Sequence, residues 1–350
     1  MSGAFPAVEA NVARLQAWLR GHLDGFDGEL QVERLAGGRS NPGWRLRTAA
    51  RDCVLRARPG PRELLLPSAH AIEREFRVQQ ALAGSAVPVP AVHVLCEDES
   101  IVGAGFYVMD FVDGEIFRDP ALPELPAQGR AARYDAMLAA IAALHQLDVD
   151  ALGLRDFGRP GRYFARQIDR WTRQYLASRD GDIPAMEKLI AWLPGAAPRE
   201  DDEPVALVHG DFRIDNLVFA RGEPRLRAVL DWELSTLGHP LADFGYHVMT
   251  WHIVPGFLAG LGGLDLDALG IPGEQSYVRE YERRTGLRAG EHWDFCLAYN
   301  LFRLAAILQG VGARARAGMA TDPQAARFAA QVPMLAELGW GFALRAGATP

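Results

Sequence analysis

Three polar residues, Asp211, Asn216 and Asp231, have the types and spacing needed to hold a cation beside a phosphate group. Carboxylates that come together raise each other's pKa unless a positive charge neutralises them. A few hard oxygen ligands, with coordination positions left for water and phosphate, are typical of Mg²⁺ bound next to a nucleotide. We therefore interpret these residues as a candidate magnesium site that faces a phosphate-bearing ligand.

The elements that must position these residues are three short apolar segments, at 205–208, 217–220 and 226–230. Their length and composition are typical of strands bounded by turns. The polar residues would then lie in loops at strand ends, where ligand-binding side chains are common. The alternative is that the segment forms two polar turns between ordinary core strands.

The motif H-G-D-(x4)-N, from His209 to Asn216, resembles the catalytic loop of the protein kinases. With the D-W-E sequence from Asp231 to Glu233, it is most similar to the aminoglycoside phosphotransferase-like (choline kinase-type) small-molecule kinases. Within them it looks most like the branch that also occurs fused to acyl-CoA dehydrogenases. The resemblance extends from residue 30 to about residue 338, which is nearly the whole chain.

This resemblance implies roles for individual residues. Asp211 would be the catalytic base, and Asn216 and Asp231 would bind Mg²⁺. Asp243 would support the catalytic loop through hydrogen bonds, although a carboxylate in the first turn of a helix is an equally good interpretation. The implied supporting residues are His209, Glu233 and Asp243.

Arg56, at the end of a strand over 53–57, and Glu75, on a helix that follows, are a candidate ion pair. An unpaired buried carboxylate costs several kcal/mol, so Glu75 needs a cation. In the kinase fold a strand lysine pairs with a helix glutamate and holds the α and β phosphates. The resemblance implies that role for Arg56 and Glu75, and a surface ion pair is the alternative.

Two further segments are candidates for nucleotide contact. The glycine-rich loop over 37–43 could bring main-chain N–H groups to phosphate oxygens, with Ser40 and Asn41 as the candidate residues, or it could be a plain hairpin. The resemblance places the crossing between lobes after the strand over 105–112, where adenine would bind main-chain groups. Its candidate residues are Met109, Phe111 and Val112.

Composition narrows the class of protein without choosing a function. The chain has 350 residues, a formal net charge of -7 and three scattered cysteines with no C-x-x-C pair. A net negative charge gives no footprint for nucleic acid or an anionic membrane. No apolar run of about 18 residues occurs, and the N-terminus lacks a signal-peptide pattern. We expect a soluble, cytoplasmic protein with free thiols, whose oligomeric state the sequence leaves undetermined.

The fold expected from the resemblance is α+β and bilobal, like a protein kinase. A small lobe over 1–113, with a five-stranded antiparallel sheet and one helix, would bind nucleotide, and a larger, mainly helical lobe over 114–350 would carry catalysis. The expected function is transfer of the γ-phosphoryl group of ATP to a hydroxyl of a small molecule, with GTP not excluded. A kinase-fold regulatory protein that binds nucleotide without transfer is the alternative.

The acceptor is the least readable part of the function. A polycationic aminoglycoside is best bound by an acidic surface, whereas the positive and negative charges of the C-terminal region roughly cancel. This balance argues against an aminoglycoside acceptor. Arg303, Arg314 and Arg316 permit an anionic or CoA-bearing acceptor, for example a hydroxyacyl-CoA. The aromatic residues of a helix over 163–177 form either a substrate wall or ordinary packing. We also expect His145 to be a core histidine, and one helix over 322–338.

Overall fold

A five-stranded antiparallel sheet and two helices make up the first third of the chain. The structure is a computed structural model that describes residues 6–35, 41–61, 71–159, 161–199, 204–318 and 324–349. The elements of this part are α1 (Val12–Arg20), β1 (Gln31–Arg34), β2 (Gly43–Arg47), β3 (Asp52–Ala57), α2 (Ile72–Leu82), β4 (Val92–Cys96) and β5 (Phe106–Asp110). The strands of the sheet have the order β1-β2-β3-β5-β4.

The two faces of this sheet have different partners because successive side chains of a strand point in opposite directions. On one face Leu55 and Phe106 join Leu15 and Leu19 of α1 in an apolar cluster. On the other face Val54, Tyr107 and Met109 pack with Ile72 of α2. Glu75 lies on α2, which packs on this second face, and Arg56 lies on β3. The helix and the sheet together therefore position the candidate ion pair.

The rest of the chain is mainly helical and surrounds one long buried helix, α9. Its helices are α3 (Ala127–His145), α4 (Tyr163–Ser178), α5 (Pro184–Ala196), α6 (Pro240–Val248), α7 (Leu266–Leu269), α8 (Glu274–Thr285), α9 (Trp293–Arg316), α10 (Ala325–Ala329) and α11 (Val332–Arg345). Within the described residues, α9 alone is long and apolar enough to cross a membrane, yet 83% of its apolar window is buried in the fold. Packing therefore accounts for its composition.

Two small ribbons lie between the sheet and the helices. In the first, β6 (Ala206–Val208) pairs with β9 (Thr236–Gly238). In the second, β7 (Leu217–Phe219) pairs with β8 (Leu226–Val229). The three strands expected around the motif are thus confirmed as β6, β7 and β8, each slightly shorter than its apolar segment. The expected α+β, bilobal, kinase-like class is also confirmed.

One expected element is wrong. The helix predicted over 322–338 is two helices among the described residues, α10 and α11, and α11 continues to Arg345. Pro333 lies in the first turn of α11. Proline has no N–H and its ring clashes with the preceding turn, so it is tolerated at the start of a helix and disfavoured inside one.

Candidate active site

The loop after β6 is fixed by one buried carboxylate. Asp243, in the first turn of α6, accepts hydrogen bonds from His209 N at 2.8 Å and Gly210 N at 2.7 Å. Gly210 has φ +82, and a Cβ at this position would lie 2.6 Å from the carbonyl oxygen of Leu234. Only glycine fits this backbone without strain, so the loop enters Asp211 along one defined path.

Asp243 is itself held in its charged form. Burial raises the pKa of this carboxyl, but the hydrogen bonds from the His145 side chain and the His209 main chain outweigh burial and leave the pKa below its usual value. His145 Nε2 lies 3.1 Å from Asp243 Oδ2, and its Nδ1 lies 2.6 Å from the hydroxyl of Tyr281. His145 is therefore buried behind the loop, in the core position expected for it.

The side chain of Asp211 is partly exposed, and Asn216 and Arg213 are among the residues that contact it. Asn216 Nδ2 donates to the carbonyl oxygen of Asp211 at 2.9 Å and to Oδ2 at 3.2 Å. Arg213 Nε lies 2.9 Å from Oδ1, and its Nη2 lies 3.3 Å from Asp215. Burial works against the Arg213 cation, but the carboxylates outweigh it and raise its pKa. The sequence analysis missed Arg213, although its position two residues after Asp211 was the available signal.

Asn216 and Asp231 come together through the β7–β8 ribbon. Leu230 N donates to the carbonyl oxygen of Asn216 at 2.8 Å, which places the two metal candidates on adjacent strand ends. His209 bridges the same region, because its Nε2 is 2.9 Å from Leu230 O and its Nδ1 accepts from Asp211 N at 3.2 Å. Asp231 has φ +66, a left-handed conformation that is rare outside glycine and is found at functional sites.

Arg56 connects the sheet to the second ribbon. Its Nη2 lies 2.6 Å from Asp231 Oδ1, and its Nε lies 2.8 Å from Glu75 Oε2 without the alignment of a hydrogen bond. Burial opposes the guanidinium charge, but Glu75 and Asp231 outweigh it and raise the pKa of Arg56. Half-buried Glu233, in the 3₁₀ turn after Asp231, adds to the same field.

Glu75 is only 1% exposed and has two hydrogen-bond donors besides its ion pair. Asn41 Nδ2 donates to Oε1 at 2.5 Å, and the hydroxyl of Tyr107 donates to Oε2 at 3.1 Å. Gln79 Nε2 in turn donates to that hydroxyl at 3.1 Å. These contacts fix the carboxylate that orients Arg56. The sequence analysis did not find Tyr107 and Gln79, because neither residue type nor spacing marks them.

The nucleotide-contact candidates of the sheet have mixed outcomes. Ser40 lies outside the described residues. The side chain of Asn41 is fully buried against Glu75, so its predicted phosphate contact is left to its main chain. Met109 is buried on the α2 face of the sheet, and Phe111 N donates to Asp52 O at 3.1 Å. That amide is engaged within the sheet, whereas Val112 follows the end of β5 and is half-buried.

The arginines proposed to face an anionic acceptor do not form one surface. Arg303 is 5% exposed and donates to Gly210 O, so its guanidinium contacts the loop before Asp211 rather than an open surface. Arg316 pairs with Asp180 at 2.8 Å, and Arg314 is exposed on the same last turns of α9. The aromatic residues of α4 pack in the core, and this favours packing over a substrate wall. They are Tyr163, Phe164, Trp171 and Tyr175.

A five-stranded antiparallel sheet joined to a mainly helical lobe is the fold of the kinase-type phosphotransferases. The chain belongs to the phosphotransferase enzyme family, whose model matches residues 31–281.

Three similar proteins illustrate this membership. Acyl-CoA dehydrogenase family member 10 of Mus musculus is 44% identical over 336 residues, which cover 95% of this chain and 31% of that protein. The chain thus spans about a third of that relative. A Ralstonia eutropha protein provisionally named an aminoglycoside phosphotransferase is 49% identical, with a TM-score of 0.87, covering 95% of this chain and 98% of that one. A thermostable variant of aminoglycoside phosphotransferase APH(4)-Ia, in complex with ADP and hygromycin B, is 16% identical, with a TM-score of 0.62 over 96% and 99% of the two chains, and shares the fold.

Proposed function

We propose that the chain transfers the γ-phosphoryl group of ATP to a hydroxyl of a small molecule, with Asp211 as the catalytic base. The observation that carries this proposal is the position of Asp211. Its carboxylate is 20% exposed, while the loop that bears it is held by Asp243 from behind. A rigid loop with an accessible carboxylate suits a reaction in which positioning and electrostatics supply most of the rate.

Each step uses a group whose contacts are described above. Asp211 accepts a hydrogen bond from the acceptor hydroxyl and takes its proton as the new P–O bond forms and the bond to the leaving diphosphate breaks. A carboxylate suffices as base because the hydroxyl proton becomes acidic late in transfer. Arg56, oriented by Glu75, contacts the phosphates of the nucleotide.

Asn216 and Asp231 fit the ligand set of Mg²⁺. Because Asn216 Nδ2 donates to Asp211, its Oδ1 points elsewhere and is the only amide atom suited to a metal. Asp231 lies beside it, and its ion pair with Arg56 supports the proposal that a cation is favoured at this position. Bound Mg²⁺ would offset negative charge on the phosphate oxygens. Arg56 would then exchange Asp231 for phosphate and keep its contact with Glu75.

The acceptor class we propose is a non-aminoglycoside metabolite, with a hydroxyacyl-CoA as the leading example. Support comes from the similar proteins, since a relative 44% identical is named for acyl-CoA dehydrogenation. The overall charge of -7 does not by itself favour an anionic acceptor. We further propose that the lobes divide after Asp113 and that the protein acts in the cytoplasm. The alternative is a regulatory protein that binds nucleotide without transfer.

The test is transfer of labelled phosphate from Mg-ATP to hydroxyacyl-CoA thioesters, amino alcohols, sugars and aminoglycosides. Asp211→Asn should bind Mg-ATP like the wild type and lose transfer by at least about 1,000-fold, since the base is removed and little else changes. Asp215→Asn is the matched control and should retain most activity. Turnover in Asp211→Asn equal to the wild type would show that this residue is not the base.

A second variant separates binding from transfer. Asp231→Ala should lose Mg²⁺-dependent ATP binding in calorimetry, because one of two proposed metal ligands is gone. Unchanged binding would contradict its assignment. If the wild type binds Mg-ATP and phosphorylates no class of acceptor in the panel, the regulatory alternative is favoured.

A further inference from the structure

Arg303, on the long helix α9, makes an unusual contact with the loop that carries Asp211. Its Nη2 donates to the carbonyl oxygen of Gly210 at 2.5 Å, and this carbonyl belongs to the peptide that leads into Asp211. Gly210 N donates to Asp243 at 2.7 Å. The two polar main-chain groups of Gly210 are therefore held from two different helices, α9 and α6.

The same face of α9 braces the second anchor of the loop. Asn300, three residues before Arg303, donates through Nδ2 to the carbonyl oxygen of Ala242 at 2.9 Å. Ala242 directly precedes Asp243, which binds the loop amides. Residues three apart share one face of a helix, so α9 holds both supports of the loop at once.

The free-energy cost of burying the Arg303 guanidinium favours a functional role for this side chain over a purely structural one. The side chain is 5% exposed, and its guanidinium lies 4.7 Å from the ring centroid of Tyr246 and 5.7 Å from that of Trp171. Its Nε is buried without a hydrogen-bond partner. Such a cation is expensive unless it is paired, and an apolar residue of similar volume commonly stabilises a core better. The neighbouring carboxylate of Asp211 contributes to the field that opposes this cost.

We propose that Arg303 is a positioning residue for phosphoryl transfer, which acts by fixing the Gly210 carbonyl and so the direction of the Asp211 side chain. The inference rests on the proposed function of Asp211. Because Arg303 is 5% exposed and bonds to the loop, the proposed effect runs through the Gly210 carbonyl rather than through the acceptor. A shift of about 1 Å in a catalytic group can cost about 100-fold in rate, which sets the scale of the expected effect.

The experiment compares three variants of the full chain. Arg303→Met removes the donor and the charge while keeping a long side chain, and Arg303→Lys keeps a charged donor. Arg316→Met, on an exposed turn of the same helix, is the matched control. Arg303→Met should lower kcat about 100-fold with the KM for Mg-ATP changed less than about threefold, and Arg303→Lys should recover at least about tenfold of that loss.

A second measurement does not depend on transfer. Hydrogen exchange across 206–216 should be faster in Arg303→Met than in the wild type, and unchanged in Arg316→Met, because the loop loses one of its two supports. Wild-type exchange in a folded Arg303→Met overturns the proposal whatever the turnover. Equal kcat in that variant also overturns it. If Arg303→Met does not fold, Arg303→Leu, which also lacks the donor and the charge, decides: faster exchange with reduced kcat supports the proposal, and wild-type exchange and kcat refute it.

These measurements separate the two proposals. Absence of transfer by the wild type with faster exchange in Arg303→Met would reject the proposed function while leaving the loop-fixing role of Arg303 supported. Transfer by the wild type with unchanged exchange and kcat in Arg303→Met would reject the role of Arg303 alone.

Discussion

Replacing Asp243 by asparagine tests how the buried carboxylate organises the loop. One oxygen accepts His209 N and the other accepts Gly210 N, while His145 Nε2 lies 3.1 Å from Oδ2. Asparagine keeps the shape but offers one oxygen, so its NH₂ must face a donor. One main-chain N–H then loses its acceptor inside the protein.

The magnitude follows from these contacts. Losing a hydrogen bond to a charged group costs about 1.5–3 kcal/mol, and leaving a buried donor unsatisfied costs about 1–3 kcal/mol. We therefore expect Asp243→Asn to lower the free energy of unfolding by roughly 3–5 kcal/mol at pH 7. A domain stable by about 10 kcal/mol, the middle of the usual range, would keep roughly 5–7 kcal/mol and stay folded, so activity can be measured. Transfer should fall with it, whereas Mg-ATP binding should persist because Arg56 and Asp231 are not touched.

Urea titrations monitored by circular dichroism give the free energy, with Asp156→Asn as the control. Asp156 is 75% exposed and pairs with Arg77 at the surface, so its replacement should leave the free energy of unfolding nearly unchanged. A loss below about 1 kcal/mol for Asp243→Asn, equal to that of the control, would refute the view that this carboxylate holds the loop.

Three other outcomes are expected. Arg56→Gln should raise the KM for Mg-ATP about 10-fold or more in steady-state assays, since a buried charge-assisted phosphate contact is lost, and an unchanged KM would contradict that contact. Gly210→Ala should lower the free energy of unfolding by more than about 1 kcal/mol and should also slow transfer, because φ is +82 and the Cβ would lie 2.6 Å from Leu234 O. A wild-type urea midpoint for this variant would contradict the prediction. Burial lowers the pKa of His239 and of His247 from 6.5 to about 4. Below pH 6.5 the unfolded chain therefore binds protons that these folded imidazoles do not. The free energy of unfolding should fall as the pH drops from 6.5 to 4, by up to about 3 kcal/mol for each histidine. Urea midpoints at pH 7 and 4.5 measure that fall, and a pH-independent midpoint in this window would contradict the neutral, buried imidazoles.

Local patterns account for the elements that were predicted well. Short apolar runs between polar turns indicate β6, β7 and β8, and the helix expected over 163–177 agrees with α4 to within one residue. The boundary between α10 and α11 was missed because the segment is rich in helix-forming residues. The break depends on Pro333, which lies in the first turn of α11, and on the packing of both helices against α9. A sequence pattern contains no information about the surface on which a helix packs.

Residue types and spacing indicated a candidate metal site, because two carboxylates and an amide near strand ends are suitable ligands for Mg²⁺. The Arg56–Glu75 pair was also expected, but most other partners were not predicted, because they come from distant parts of the chain. Arg56 and Asp231 are 175 residues apart, and Arg303 and Gly210 are 93 apart. The same residue type can serve opposite purposes, and Arg303 was expected to face an anionic acceptor but is buried behind the loop.

The order of the motif residues, their chemical types and the strands that carry them could be predicted from the sequence, because these depend on neighbours along the chain. The folded chain was needed to find which cation meets which carboxylate, that Asn41 turns inward onto Glu75, and that α9 supports the loop before Asp211. Burial and pairing depend on surfaces that are assembled from remote segments. The free energy of a charge depends on those surfaces rather than on its position in the sequence.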